Sequence, residues 1–315
     1  MPNIKPKRLK RGDVIGVIAP ASPVSSEEKV TQAVKFLERL GFSVKFGANT
    51  LKTYGYLAGT DEERADDINS MFADKDVKAI FCLRGGYGTP RLLQLVNYRV
   101  IAKNPKILAG FSDITALSLA IYTKTGLITF SAPMIASDMA HPDDYTQENF
   151  WSMLTEKVAA RCLRNFDAHV PQAVIAGEST GKLIGGNFSL VSSLIGTPFL
   201  PQLNNAILLL EDIGEEPYRI DRMFSHLYNG GIFKKLNGLA LGQFSDSEPD
   251  DDGPTLSMDE VISHYAKMLR KGKPAIQNLS YGHIRQKLTL PIGAKVLIKA
   301  YRGKINFELK ESVIQ

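Results

Sequence analysis

Cysteine is nearly missing from this chain. Its 315 residues include two, Cys82 and Cys162, and a pair so far apart has neither the C-x-x-C spacing of a redox centre nor that of a zinc site. Both are expected as unpaired, buried thiols in a reducing compartment. Long apolar runs are missing too. The longest uninterrupted aliphatic stretch is Ala206 to Leu210, against the roughly 20 residues that a membrane-spanning helix needs, and no apolar segment follows Met1 as in a cleavable signal. The expectation is a soluble cytoplasmic protein with no membrane partner. An excess of either charge is also lacking, since 38 Lys and Arg against 33 Asp and Glu leave a net +5. Lys5, Lys7, Arg8, Lys10 and Arg11 hold part of that excess and read as a solvated terminal arm, so no nucleic-acid partner is expected. Tryptophan occurs once, at Trp151, and no repeat period or low-complexity tract is present.

What is present is the composition of a packed globular protein: 44% hydrophobic and 23% charged residues, with 26 Gly and 16 Pro near average usage. At roughly 150 residues per domain the length predicts two domains. From Asp13 the run VIGVIAP reads as a buried strand ended by Pro20. A helix follows, with a capping-box spacing from Ser25 to Glu28 and apolar Val30, Ala33, Val34, Leu37 and Leu40 before Gly41. Strands Phe42–Phe46, Val77–Leu83 and Ile107–Ala109 then alternate with helices Asp61–Phe72, Pro90–Val96 and Ile114–Thr125. That alternation predicts an α/β domain, a parallel sheet covered on both faces, over residues 1–164. Residues 165–180 lose periodicity and read as a linker. Residues 181–315 read as a second domain with a Gly185-Gly186 turn, helices Phe188–Leu194 and Tyr218–Tyr228, strand Ala206–Leu210, and late strands near Leu239, Ser280 and Val296.

In open parallel sheets ligands collect beyond the carboxyl ends of the strands, and three places there carry chemistry. Arg84-Gly85-Gly86-Tyr87-Gly88 lets the backbone approach a ligand and offers N–H groups to an anion or oxyanion, or is an ordinary turn. It matches no nucleotide-binding fingerprint. Ser112 lies on a strand-to-helix turn two residues after Gly110. That turn would expose its hydroxyl above the sheet, with the Asp113 N–H beside it. Ser112 and Asp113 are equally suited to be simple helix caps. Ile114 stands where G-x-S-x-G requires its second Gly, so the α/β-hydrolase pattern is not met. A reactive serine needs a base. Of five histidines, His141, His169, His226 and His264 fall in loops, linker or helical patterns, whereas His283 follows Tyr281-Gly282 at the end of an apolar segment. Glu211, directly after Ile207–Leu210, could orient that imidazole, but Asp212, Glu215 and Glu216 crowd the same turn and spacing does not choose among them.

Taken together, RGGYG at Arg84–Gly88, GFSDIT at Gly110–Thr115, GGN at Gly185–Asn187, LLLEDIGEEPYRIDR at Leu208–Arg222 and YGH at Tyr281–His283 resemble the LD-carboxypeptidase family, the murein tetrapeptide carboxypeptidases. The blocks stand in the family's order and span nearly the whole chain. The resemblance implies an N-terminal α/β domain and a C-terminal swivelling β/β/α domain. It further implies a serine peptidase with Ser112 as nucleophile, His283 as general acid/base and Glu211 as its orienting carboxylate. The implied oxyanion hole is made by the backbone N–H groups of Gly86 and Asp113, with no cofactor and no metal. The implied substrate is a small peptide or muropeptide: a cytoplasmic tetrapeptide from which terminal D-Ala is removed during peptidoglycan recycling, by a homodimeric enzyme. A related branch with the same triad hydrolyses microcin C-type peptide-nucleotides and is expected to carry an aromatic loop; no Trp occurs near Gly177–Gly186. Arg84, beside the glycine turn, is a candidate on charge grounds for the substrate's free carboxylate or is equally a structural residue, and it is not counted among the catalytic residues. A non-catalytic muropeptide-binding protein on the same fold is the other alternative, and the distances among Ser112, His283 and Glu211 decide against or for it.

Overall fold

Short apolar runs alternating with helices build the first sheet. In the computed structural model, which describes residues 2–249, 253–301 and 303–315, these are β1 (Val14–Ile18), α1 (Glu27–Arg39), β2 (Ser43–Phe46), α2 (Asp61–Ala73), β3 (Val77–Cys82), α3 (Tyr98–Lys103), β4 (Ile107–Ala109), α4 (Ile114–Thr125), β5 (Thr129–Ser131) and α5 (Asp144–Thr155). The five strands pair in parallel in the order β5-β4-β3-β1-β2. The rest of the chain supplies β6 (Arg161–Cys162), β7 (Gln172–Ile175), β8 (Gly177–Asn187), α6 (Phe188–Ser193), β9 (Ile207–Ile213), α7 (Pro217–Asn229), β10 (Gly238–Ser245), α8 (Met258–Ala266), β11 (Ala275–Gln277), β12 (Leu290–Ile292), β13 (Lys295–Tyr301) and β14 (Lys304–Leu309). Eight of these strands form a second sheet, β6-β14-β13-β8-β9-β10-β11-β7.

β8 makes that second sheet curl. Its first half, Gly177–Lys182, pairs antiparallel with β13, and its second half, Leu183–Asn187, pairs parallel with β9. The architecture is an N-terminal parallel-sheet α/β domain followed by a swivelling β/β/α domain. The two are interlocked, because β12 crosses back to pair antiparallel with β5. One hydrophobic cluster joins Ile15, Phe81 and Phe130 of the first sheet to Leu208, Leu209 and Ile276 of the second. α4 sits inside this junction. It packs on α6, β8 and β12 and is buried nearly all round, which is why its sequence is apolar on every face instead of along one stripe.

Several local expectations shift. α1 is capped by Ser26, whose side chain accepts from Lys29 N–H, and not by Ser25; each serine has an acid nearby, and the extended backbone falls at Ser26. The segment read as a Pro90–Val96 helix is one 3₁₀ turn, Thr89–Leu92. Asn97 then caps Val100 N–H and starts α3 afresh. Residues 165–180, read as linker, contain β7, a four-residue Gln-Ala-Val-Ile strand too short to show a period, and the polar first residues of β8. No strand forms at Ser280. The late strand before it is β11, which pairs with β7 and β10.

Cys162 is exposed, correcting the expectation that both thiols are buried, while burial pushes the Cys82 thiol pKa well up. Native protein should therefore react with one equivalent of a thiol-specific reagent, and denatured protein with two. Two equivalents in the native state would contradict the placement of Cys82 beneath the first sheet's helices.

Candidate active site

The site is assembled at the carboxyl ends of β3 and β4, where the parallel sheet leaves its backbone groups to the loops. β4 ends at Ala109, and the chain turns through Gly110-Phe111-Ser112-Asp113 into α4. Ser112 adopts φ +63°, a left-handed conformation that costs a serine about 1 kcal/mol or more. Neither Ser112 nor Asp113 caps α4 through its side chain. The Asp113 carboxylate instead accepts from Thr89 N–H at 2.8 Å, and the Thr89 hydroxyl donates back to the Asp113 carbonyl. Thr89, which the sequence did not single out, thus clamps the glycine turn after β3 to the start of α4. Burial pushes the Asp113 carboxyl pKa up, opposed by the bonds from Thr89.

The glycine turn is pinned from its other side by Ser22, which donates through its N–H to Gly85 O and accepts from Tyr87 N–H at 3.1 Å. Gly85 lies so close to Ser112 that a Cβ would come within 3.0 Å of the serine Cβ, and Gly86 has φ +111°. Among the described residues, the N–H groups of Gly86 and Asp113 donate no hydrogen bond within the protein. Two backbone donors are therefore available beside one hydroxyl.

The second sheet brings the other two side chains. Glu211 lies inside β9, not after it; the apolar run stops at Leu210, but pairing continues through Asn187↔Glu211 on one side and Phe244↔Asp212 on the other. It is fully buried, and its Oε2 accepts from His283 Nδ1 at 2.8 Å. Because a carboxylate oxygen accepts, Nδ1 carries the ring proton and Nε2 is left to accept from Ser112 Oγ, 2.9 Å away. Asp212 is taken up by Asn187 and Ser189, while Glu215 and Glu216 lie against Arg219. His169 meets Ser280 and His226 meets Ser192, so these imidazoles are spent elsewhere. His264 stacks edge-on against Tyr265, and His141 stays in its loop.

His283 stands in a loop, held on several sides. Gly282, at φ +121°, lets the chain pass Glu211, whose Oε2 would be 2.9 Å from an added Cβ. The Tyr281 hydroxyl bonds Ser131 of β5 at 2.7 Å, and burial with the nearby Glu211 charge pushes its pKa far up. Buried Lys287 bonds Asp138 at 2.7 Å and lies 4.1 Å above the Phe111 ring, itself 5.0 Å from the His283 ring. Lys287 and Asp138 carried no signal in the sequence, since a Lys and an Asp 149 positions apart look like surface charges. Ser112, His283, Gly85, Gly86 and Phe111 line a cleft of about 460 Å³, together with Val24, Lys29, Arg84, Met134 and Ile213 among others. Trp151 is elsewhere, stacked on Phe42 at 5.3 Å. Among the described residues no group of His, Cys, Asp and Glu gathers as a metal site.

Comparison with known proteins gives this geometry a family. Residues 15–132 match the LD-carboxypeptidase N-terminal domain and residues 180–298 the LD-carboxypeptidase C-terminal domain. The chain belongs to the LD-carboxypeptidase family. It is a serine-type carboxypeptidase, a hydrolase. A probable murein peptide carboxypeptidase of Bacillus subtilis is 40% identical over 93% of this chain and 91% of its own length. The microcin C7 self-immunity protein MccF of Escherichia coli is 32% identical over 92% of this chain and 91% of its own. The crystal structure of muramoyltetrapeptide carboxypeptidase from Oxalobacter formigenes is 31% identical and superposes with a TM-score of 0.84, covering 95% of this chain and 99% of that one.

Proposed function

We propose that this LD-carboxypeptidase removes the terminal D-Ala from muropeptide tetrapeptides by cutting the amide between an L-centre and the D-residue. The hydrogen-bonded chain from Ser112 through His283 to Glu211, at 2.9 and 2.8 Å on the wall of an open cleft, is the observation that carries it. It also weighs against a binding protein that keeps only the fold. The names of the Bacillus relative, a probable murein peptide carboxypeptidase, and of the Oxalobacter one, a muramoyltetrapeptide carboxypeptidase, supply the substrate class.

In this reading His283 Nε2 takes the Ser112 proton as Oγ attacks the carbonyl carbon. The Gly86 and Asp113 N–H groups receive the oxyanion of the tetrahedral intermediate, and Glu211 stabilises the imidazolium. The imidazolium protonates the departing D-Ala nitrogen, leaving an acyl-Ser112. His283 then draws a proton from water as its oxygen attacks the acyl carbon; the bond from that carbon to Ser112 Oγ breaks, the imidazolium returns the proton to Oγ, and the tripeptide leaves with a new terminal carboxylate.

We place the reaction in the cytoplasm, on recycled wall fragments, and on a homodimer. No helix among the described residues is long and apolar enough to cross a membrane. Purified enzyme given a tetrapeptide should yield one D-Ala and one tripeptide per turnover, read by mass spectrometry. A peptide-nucleotide of the microcin C type should turn over more slowly. The cleft wall offers a nucleobase no Trp, and its Phe111 face is already covered by Lys287. Faster turnover of the peptide-nucleotide, or none of the tetrapeptide, would sink the cell-wall reading.

A further inference from the structure

An exopeptidase must recognise the free carboxylate that marks the end of its substrate, and none of the residues in the reaction above does so. In the reaction above, that carboxylate carbon is three bonds from the attacked carbonyl carbon, through the amide nitrogen and the D-residue's Cα. Its reader must therefore stand in the same cleft, beside the oxyanion donors. Apart from His283, the titratable side chains lining that cleft among the described residues are Lys29 and Arg84, both cationic, and none of these residues lining it is an acid.

Arg84 is the better held of the two. Its Nε donates to Gly85 O at 3.2 Å and one terminal nitrogen donates to Pro23 O at 3.1 Å, which fixes the plane of the guanidinium. The other terminal nitrogen lies 3.5 Å from where a Gly86 Cβ would stand, over the turn that carries one oxyanion donor. No carboxylate of the described residues pairs with Arg84, although it is half-buried. A partly desolvated cation held by two carbonyls, with N–H groups to spare, is arranged for an anion that arrives with the substrate. Lys29, by contrast, is exposed on the first turn of α1 and has no such anchoring.

We propose that Arg84 binds the substrate's terminal carboxylate and so confines cleavage to the last peptide bond. This rests on the carboxypeptidase reading of the cleft. Because the carboxylate keeps its charge from ground state to transition state, its contact appears mainly in KM.

The test compares the tetrapeptide acid with its C-terminal carboxamide as substrates for wild type, Arg84→Gln and Arg84→Lys, with thermal unfolding as the folding control. Wild type should prefer the acid by about 10- to 100-fold in kcat/KM, the range of a charge-assisted contact. Arg84→Gln should lose that factor on the acid, mostly through KM, and stay within a few-fold of wild type on the amide. Arg84→Lys should fall between, and it carries the comparison if the Gln variant does not fold. Equal losses on acid and amide, or a wild type indifferent to the two, would overturn the assignment. A wild type that releases D-Ala from the tetrapeptide acid keeps the substrate reading intact whichever way Arg84 falls; one that cleaves neither substrate removes both.

Discussion

Ser112→Ala is expected to lower kcat for D-Ala release by at least about 10⁴-fold, because in the proposed reaction the hydroxyl supplies the bond-forming atom and among the described residues no other nucleophile hydrogen-bonds to His283. Single-turnover assay by mass spectrometry reads it, along with loss of the acyl-enzyme signal. Ser112→Gly should be equally inactive yet more stable than wild type by about 1 kcal/mol. Glycine adopts φ +63° freely, whereas serine is held there against its preference. A gain in stability at the cost of activity marks a conformation kept for function. Retention of activity in either variant would remove Ser112 as nucleophile, and a destabilised Gly variant would show that the turn is not strained.

Glu211→Gln should come next in size, a loss of about 10³- to 10⁴-fold in kcat with the fold intact. Among the described residues Glu211 Oε1 has no hydrogen-bond partner and its other oxygen meets His283, so this fully buried carboxylate depends on one imidazole. The amide keeps the shape and removes the charge. Its NH₂ can donate to Nδ1 and drive the ring proton to Nε2, where it would face the Ser112 hydroxyl as a donor and accept nothing from it. Stability should hold or rise, because a buried charge with half its bonding capacity unused is removed. Activity close to wild type in Glu211→Gln would mean that Oε2 does not set the tautomer, and Asp212, already bonded to Asn187 and Ser189, would not be available to replace it.

Much of the fold was legible because its signals are local. Val14–Ile18, Val77–Cys82 and Ile107–Ala109 are apolar runs bounded by turn residues, and α7 keeps an apolar face from Ile220 through Phe224 to Leu227. Where burial is shared unevenly the signal fades. β7 and the start of β8 read as linker because one is only four residues long and the other opens on the polar Gly177–Thr180, and their strand character comes from partners 100 or more residues away. The end of β9 was placed at its last leucine because a charged residue ordinarily ends a buried run; only pairing on both sides keeps Glu211 in the strand.

The sequence by itself determined the alternation of strand and helix, the strand-end positions of Ser112 and the Arg84–Gly88 turn, and through five ordered motifs the family. Which of four neighbouring acids meets which of five histidines was decided only in three dimensions. Glu211 and His283 are 72 positions apart and His283 and Ser112 are 171, so no helical or strand period relates them. The supports are equally remote: Tyr281 on Ser131, Lys287 on Asp138 and Thr89 on Asp113. Hydrogen bonds of this kind depend on distances of about 3 Å between side chains, and such distances exist only once both sheets have packed around α4.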